Sequence, residues 1–181
     1  GVGEMLKVHL IQGPEAFAEV ARDFERLFND PTVLRRYVRQ SLEIKKWFVE
    51  EDEFDRGPRN ALNYGHSFGH AIESATNFQI PHGIAVTIGM DMANFVACRL
   101  GRIREAEYLK IHRVLARNYD GFGSVEIPFE PFVSALARDK KNRGGALGLI
   151  LRGPEGVERV HFDDREPILR ACADFLTECL A

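Results

Sequence analysis

The sequence is short of cysteine, of long apolar runs and of any excess of one charge. Its 3 cysteines, Cys98, Cys172 and Cys179, are odd in number and fall in helix-like segments. That argues against a disulfide framework and for thiols in a reducing compartment, so the expected location is cytoplasmic. Apolar stretches break well before about 18 residues, which excludes a transmembrane helix. No basic region followed by an apolar run opens the chain, so no signal peptide is expected. The 24 basic and 27 acidic residues leave a net charge of −3. No basic run stands out, which argues against nucleic acid and anionic membranes as partners. There is no internal repeat or low-complexity tract. A glycine-rich dinucleotide fingerprint is also missing, because Gly144-Gly145 precedes a hairpin pattern rather than a helix.

What is present is helical patterning. At 181 residues the chain fits one domain that buries about 70% of its unfolded surface. The spacing predicts helices over 3–12, 14–28, 31–52, about 60–76, 83–100, 103–118, 131–138 and 166–180, punctuated by Gly13-Pro14, Asn29-Asp30-Pro31, Gly57-Pro58 and Gly101. In the long third helix the expected apolar stripe is Val33, Leu34, Tyr37, Val38, Leu42, Ile44, Phe48 and Val49. Ala85–Cys98 is apolar on most sides and reads as the central buried helix. Leu147–Leu151 and Val157–Phe162 flank Gly153-Pro154-Glu155-Gly156 as a β-hairpin. The expected fold class is all-α, a multi-helix domain with one small hairpin.

Three of the six histidines fall within residues 66–82. His66 and His70 are four apart and project from one helix face. His82 follows Pro81 and precedes Gly83, which suits the start of the next helix. The helix from His66 to Thr76 spans about 15 Å, and the six residues back to His82 reach about 18–20 Å when extended. His82 can therefore return beside His66. Neutral imidazoles are common ligands of divalent metals, and such a site usually adds a carboxylate, which spacing alone does not select from 27 acidic residues. Gly65 and Gly69, expected inside a helix at about 1 kcal/mol each relative to alanine, call for close packing or ligand approach.

Five blocks in order then carry a family resemblance. They are Gly3-Glu4-Met5-Leu6-Lys7; Glu43-Ile44-Lys45 with Glu51-Asp52-Glu53 and Gly57-Pro58-Arg59; Leu62-Asn63-Tyr64-Gly65-His66-Ser67-Phe68-Gly69-His70-Ala71-Ile72-Glu73; His82-Gly83; and Arg138-Asp139-Lys140-Lys141. The chain resembles, over essentially its whole length, the C-terminal helical domain of 3-dehydroquinate synthase and its sugar-phosphate cyclase relatives. The resemblance implies a divalent metal, zinc or cobalt, held by Glu4, His66 and His82. It implies a seven-carbon keto-acid phosphate as substrate, with NAD carried by an N-terminal domain absent from this chain, and a homodimer. His70 would shuttle a proton or touch phosphate, supported by Asp55, with Lys7 also in the catalytic set. Lys45, Arg59, Asn63 and either Lys140 or Lys141 would hold substrate carboxylate, phosphate and hydroxyls. The enzyme would be a phosphate-eliminating lyase of the shikimate pathway, inactive as this isolated piece. The abrupt apolar start at Gly1 likewise implies that the chain begins inside a larger protein.

One departure is Ile84, where the family usually has Glu. An apolar residue there removes an acceptor able to orient His82, and this bears on the substrate more than on metal binding. His9, His112 and His161 match nothing functional. The rival readings are a related cyclase making another cyclitol, a metal-dependent polyol dehydrogenase, and a non-catalytic helical assembly domain.

Overall fold

Proline and glycine set the first boundaries. Gly13 (φ 144°) and Pro14 separate α1 (Val2–Gln12) from α2 (Pro14–Arg22). The pattern over 14–28 predicts one helix, but Asp23–Glu25 form a turn before α3 (Arg26–Asn29). The Asp23 carboxylate causes the break by accepting bonds from Tyr37 Oη at 3.0 Å, Arg26 at 3.2 Å and Arg36. Asp30 caps α4 (Pro31–Glu51), accepting from the amides of Thr32 at 2.9 Å and Val33 at 3.3 Å, with Pro31 in the first turn, a cap that contributes about 1 kcal/mol.

The computed structural model describes residues 1–53, 57–142 and 144–180. After α4 comes a 3-10 segment, Pro58–Asn63, then α5 (His66–Ala75), α6 (His82–Arg99) and α7 (Glu105–Tyr119). A second 3-10 turn at Asp120–Phe122 leads to α8 (Phe129–Ala137), strands β1 (Leu147–Gly153) and β2 (Gly156–Phe162), and α9 (Glu166–Glu178). The all-α class with one antiparallel hairpin is as expected. Gly153 pairs with Gly156 and Leu147 with Phe162, so Pro154-Glu155 form a two-residue loop.

The core is organised around α6, in which every residue from Ala85 to Ala97 is buried. Helices α1, α5, α7 and α9 and strand β1 all pack on it, as a helix apolar all round requires. It ends in a Schellman motif: Gly101 N–H donates to Cys98 O and Arg102 N–H to Ala97 O, both at 2.9 Å, which satisfies two otherwise orphaned carbonyls.

Two expectations are corrected here. The α4 stripe is narrower than its apolar count, with Val33, Tyr37, Ser41, Ile44 and Phe48 buried and Val38, Leu42 and Val49 facing outward with Trp47. A helix covered on one side buries only the positions on that side, and α4 meets α1, α3 and the first 3-10 segment. The helix expected over 60–76 is interrupted, because Gly65 takes the left-handed conformation (φ 77°) immediately before α5. A Cβ at Gly65 would also collide with Met90 and the Val86 carbonyl.

Candidate metal centre

The site grows out of helix crossings made by glycine. A Cβ at Gly3 would collide with the Gly83 carbonyl, and one at Gly89 with Gly65 O and Gly69 N. Helices α1 and α5 thus meet α6 backbone to backbone. The neighbours of these glycines in sequence are Glu4, His66, His70 and His82, so close packing is what Gly65 and Gly69 provide, and it draws the functional side chains together.

The three imidazoles converge. Ring centroids are 5.3 Å apart for His66 and His70, 5.6 Å for His66 and His82, and 5.8 Å for His70 and His82. Glu4 joins from the first turn of α1, its Oε1 lying 3.9 Å from His66 Nε2. Glu4, His66 and His82 each offer a ligand atom within 4.8 Å of the other two. His66 Nδ1 lies 3.2 Å from the Tyr64 carbonyl and donates its proton there, so Nε2 presents a lone pair toward Glu4.

Charge around the cluster is arranged to leave a lone pair and an anion in place. Burial, with Lys7 adding, pushes the His66 pKa down to about 4, so the ring is neutral at pH 7. Burial opposes the Glu4 charge, but Lys7 and Lys45 outweigh it and hold the carboxyl down at about 2. Lys7 Nζ donates to Oε1 and Lys45 Nζ to Oε2, each at 2.8 Å. Lys7 is 3% exposed, and that burial lowers its own pKa against the pull of Glu4. His70 is also shifted down, chiefly by burial, against Glu73 and with Lys141 adding. Ligation needs deprotonated donors, and Glu4 and His66 meet that need.

Glu73 is the residue the sequence reading passed over. It is buried at 8% exposure, and its two oxygens lie 3.1 and 3.2 Å from His82 Nδ1. The loss of a His82-orienting acceptor expected from Ile84 is therefore corrected, because Glu73 occupies that role from α5. Its signal was available in the spacing: positions 66, 70 and 73 form one stripe of a helix.

The remaining candidates fall differently. Lys141 lies close enough to His70 to act on its charge, with Nζ held by Asp139 at 3.0 Å, whereas Lys140 is exposed. Asn142 fixes that loop by donating to Leu136 O and Ala137 O and accepting from Gly148 N–H. Asn63 ends the 3-10 segment and is half-buried. The structure turns Arg59 toward the preceding loop, where Nη1 donates to Glu53 O at 3.0 Å and the amide to Asp52 at 3.2 Å. Asp55 lies outside the described residues. His9 Nδ1 donates to Met5 O, 2.7 Å away, and His112 bonds Asp91. No helix among the described residues is long and apolar enough to cross a membrane.

Comparison with known proteins places the chain among relatives. A family model for the 3-dehydroquinate synthase C-terminal domain matches residues 1–142. The 3-dehydroquinate synthase of Wolinella succinogenes is 38% identical over 172 residues, 91% of this chain and 46% of that protein. That of Campylobacter concisus is 35% identical over 178 residues, 97% of this chain and 50% of that protein. The chain spans about half the length of the curated relatives it matches. Among solved structures, a 2-epi-5-epi-valiolone synthase from Streptomyces hygroscopicus with NAD+ and Zn2+ bound superposes with a TM-score of 0.73. It covers 98% of this chain and 50% of that one, at 24% identity. A 2-deoxy-scyllo-inosose synthase complexed with carbaglucose-6-phosphate, NAD+ and Co2+ gives 0.67, over 78% of this chain and 42% of that one, at 23% identity. At such identities these two structures speak to the fold.

Proposed function

The chain belongs to the 3-dehydroquinate synthase family, and from that membership we propose that it is the metal- and substrate-binding half of such an enzyme. In this reading residues 1–181 form one helical domain that works with an N-terminal NAD-binding domain, in a cytoplasmic homodimer. The overall reaction would be phosphate elimination and carbocycle formation from a seven-carbon keto-acid phosphate. The observation that carries the reading is the convergence of Glu4, His66 and His82, with two lysines on the carboxylate. The NAD+ and Zn2+ or Co2+ in the two cyclase structures support the cofactor assignment.

The residues fit a divalent ion. His66 is neutral with Nε2 free, Glu4 is ionised, and His82 is oriented by a buried carboxylate. A metal held by Glu4, His66 and His82 would supply Lewis-acid polarisation of a substrate oxygen, and three protein ligands leave positions open for substrate.

The other residues take roles set by their chemistry. Lys7 and Lys45 keep Glu4 ionised and put two positive charges where an anionic substrate enters. Lys45 is the more exposed of the two, and it would meet phosphate or carboxylate as a point charge. Arg59 offers a planar fork suited to a carboxylate, Asn63 offers an amide to hydroxyls, and Lys141 adds a cation beside His70. His70, kept neutral by partial burial, accepts a proton from substrate and returns it, the task of a general base with Asp55 in support.

Two measurements test the proposal. The full-length protein with NAD should release phosphate from the seven-carbon keto-acid phosphate, and His82→Ala should abolish that release. Full turnover by the variant refutes the ligand assignment. Ile84 favours a second reading, a related cyclase making another cyclitol. Phosphate release from a seven-carbon sugar phosphate lacking the carboxylate, and none from the keto acid, would select it.

A further inference from the structure

Histidine 82 belongs to two groups of potential ligands. Besides Glu4 and His66, its ring stands with His70 and Glu73, and each member of this second trio offers a ligand atom within 4.8 Å of the other two. The trio is built by helix geometry: His70 and Glu73 are three apart on α5 and face the first residue of α6. Its chemistry is that of a borderline transition metal, two imidazoles and one carboxylate. Glu73 is buried while His70 and His82 are exposed, so one carboxylate lies at the back and two imidazoles stand at the mouth. The nearby cation Lys141 is paired with Asp139 at 3.0 Å, which reduces its repulsion of an incoming ion.

We propose that the cluster carries a second, outer seat for a divalent transition cation, formed by His70, Glu73 and His82. It competes with the inner seat of Glu4, His66 and His82. A neutral imidazole has a single lone-pair nitrogen, so His82 serves one ion at a time. In the inner arrangement Nδ1–H donates to Glu73 and the other nitrogen ligates. In the outer one Nδ1, which already faces Glu73, takes the ion and the proton moves to Nε2. The inner seat then loses one of its three protein ligands. The inference rests on the inner seat proposed above only through this shared ring.

The test titrates Co2+ into the metal-stripped protein and follows its visible absorption and binding heat. Wild type should bind one Co2+. His66→Ala should still bind one, with an altered spectrum and affinity weaker by about 10- to 100-fold, and His66→Ala/His70→Ala should lose it. Glu4→Gln with and without His70→Ala repeats the comparison with the inner seat disabled from α1, in case substitution at His66 disturbs α5. No binding by either inner-seat variant, with normal binding by His70→Ala, overturns the outer seat and leaves the inner one standing. Wild-type binding by His66→Ala and Glu4→Gln, abolished by His70→Ala, would instead remove the inner seat and keep the outer.

Discussion

Helix α6 carries a carboxylate–histidine cluster near each of two faces, and they are built to opposite ends. His82 begins the helix. Asp91 is nine residues on, half a circumference away at 3.6 residues per turn. At the first end His66 is pushed down to about 4 by burial and Lys7, and its Nε2 faces an ionised Glu4 that is 29% exposed. At the second, the Asp91 side chain is fully buried. His112 Nδ1 lies 2.7 Å from Asp91 Oδ2 and Tyr119 Oη donates to the same oxygen at 2.6 Å. The bond to Asp91 raises the His112 pKa against burial. One histidine is kept neutral beside an open anion, and the other is drawn toward its charged form by a sealed carboxylate. Availability of a lone pair, rather than the pairing of acid with imidazole, separates a ligand cluster from a helix fastener.

That contrast can be broken at either end. The largest effect is expected from Asp91→Ala, which leaves His112 and Tyr119 without their acceptor inside the core. Loss of one partner from a buried pair costs about 3–5 kcal/mol, measurable by urea unfolding, while Co2+ binding by the folded fraction should be unchanged. Gly89→Ala forces α5 away from α6 and should cost about 1–3 kcal/mol. In contrast to Asp91→Ala it should weaken Co2+ binding as well, and unchanged affinity would detach the site from the crossing. Glu73→Gln keeps shape but removes the anion behind His82. Metal affinity should fall about 10- to 100-fold, with a melting temperature within about 2 °C of wild type, read by calorimetry of both processes.

The smallest effect concerns pH. His112 is raised above its ordinary 6.5, so the stability it contributes is complete below 6.5 and is lost as pH rises through the folded value. Asp91, Tyr108, Tyr119 and Cys179 surround this group. The stability gap between wild type and His112→Gln should therefore narrow from slightly acid to alkaline pH, and a gap that widens contradicts the assignment.

Much of this was readable in the sequence. Pro81-His82-Gly83 announced the start of α6, and the i, i+4 histidines announced a shared face. The apolar run Ala85–Cys98 announced the central helix. Local chemistry decides those features, so local pattern reveals them. Other features depend on what another segment does. Lys45 reaches Glu4 across 41 positions, a meeting that no spacing rule encodes, although the family resemblance implies a place for each in one site. The Asp23 turn depends on Tyr37 and Arg36 from α4, and the outward Leu42 and Val49 depend on which side of α4 receives a partner. Gly65 was legible as unusual but not as left-handed, because the same residue serves both a turn and a contact. Glu73 lies within a recognisable motif, but its task is invisible there, since its partner belongs to the next helix.

The glycine crossings have a last consequence. Where main chains touch directly, no rotamer lies between them to absorb an error, so the bite of the donor atoms inherits the tolerance of backbone contact. Drift elsewhere in the hydrophobic interior can alter volume and shape while the spacing between Glu4 and the imidazoles stays fixed. A substrate pocket built around such a gauge can diversify its walls without resetting its centre.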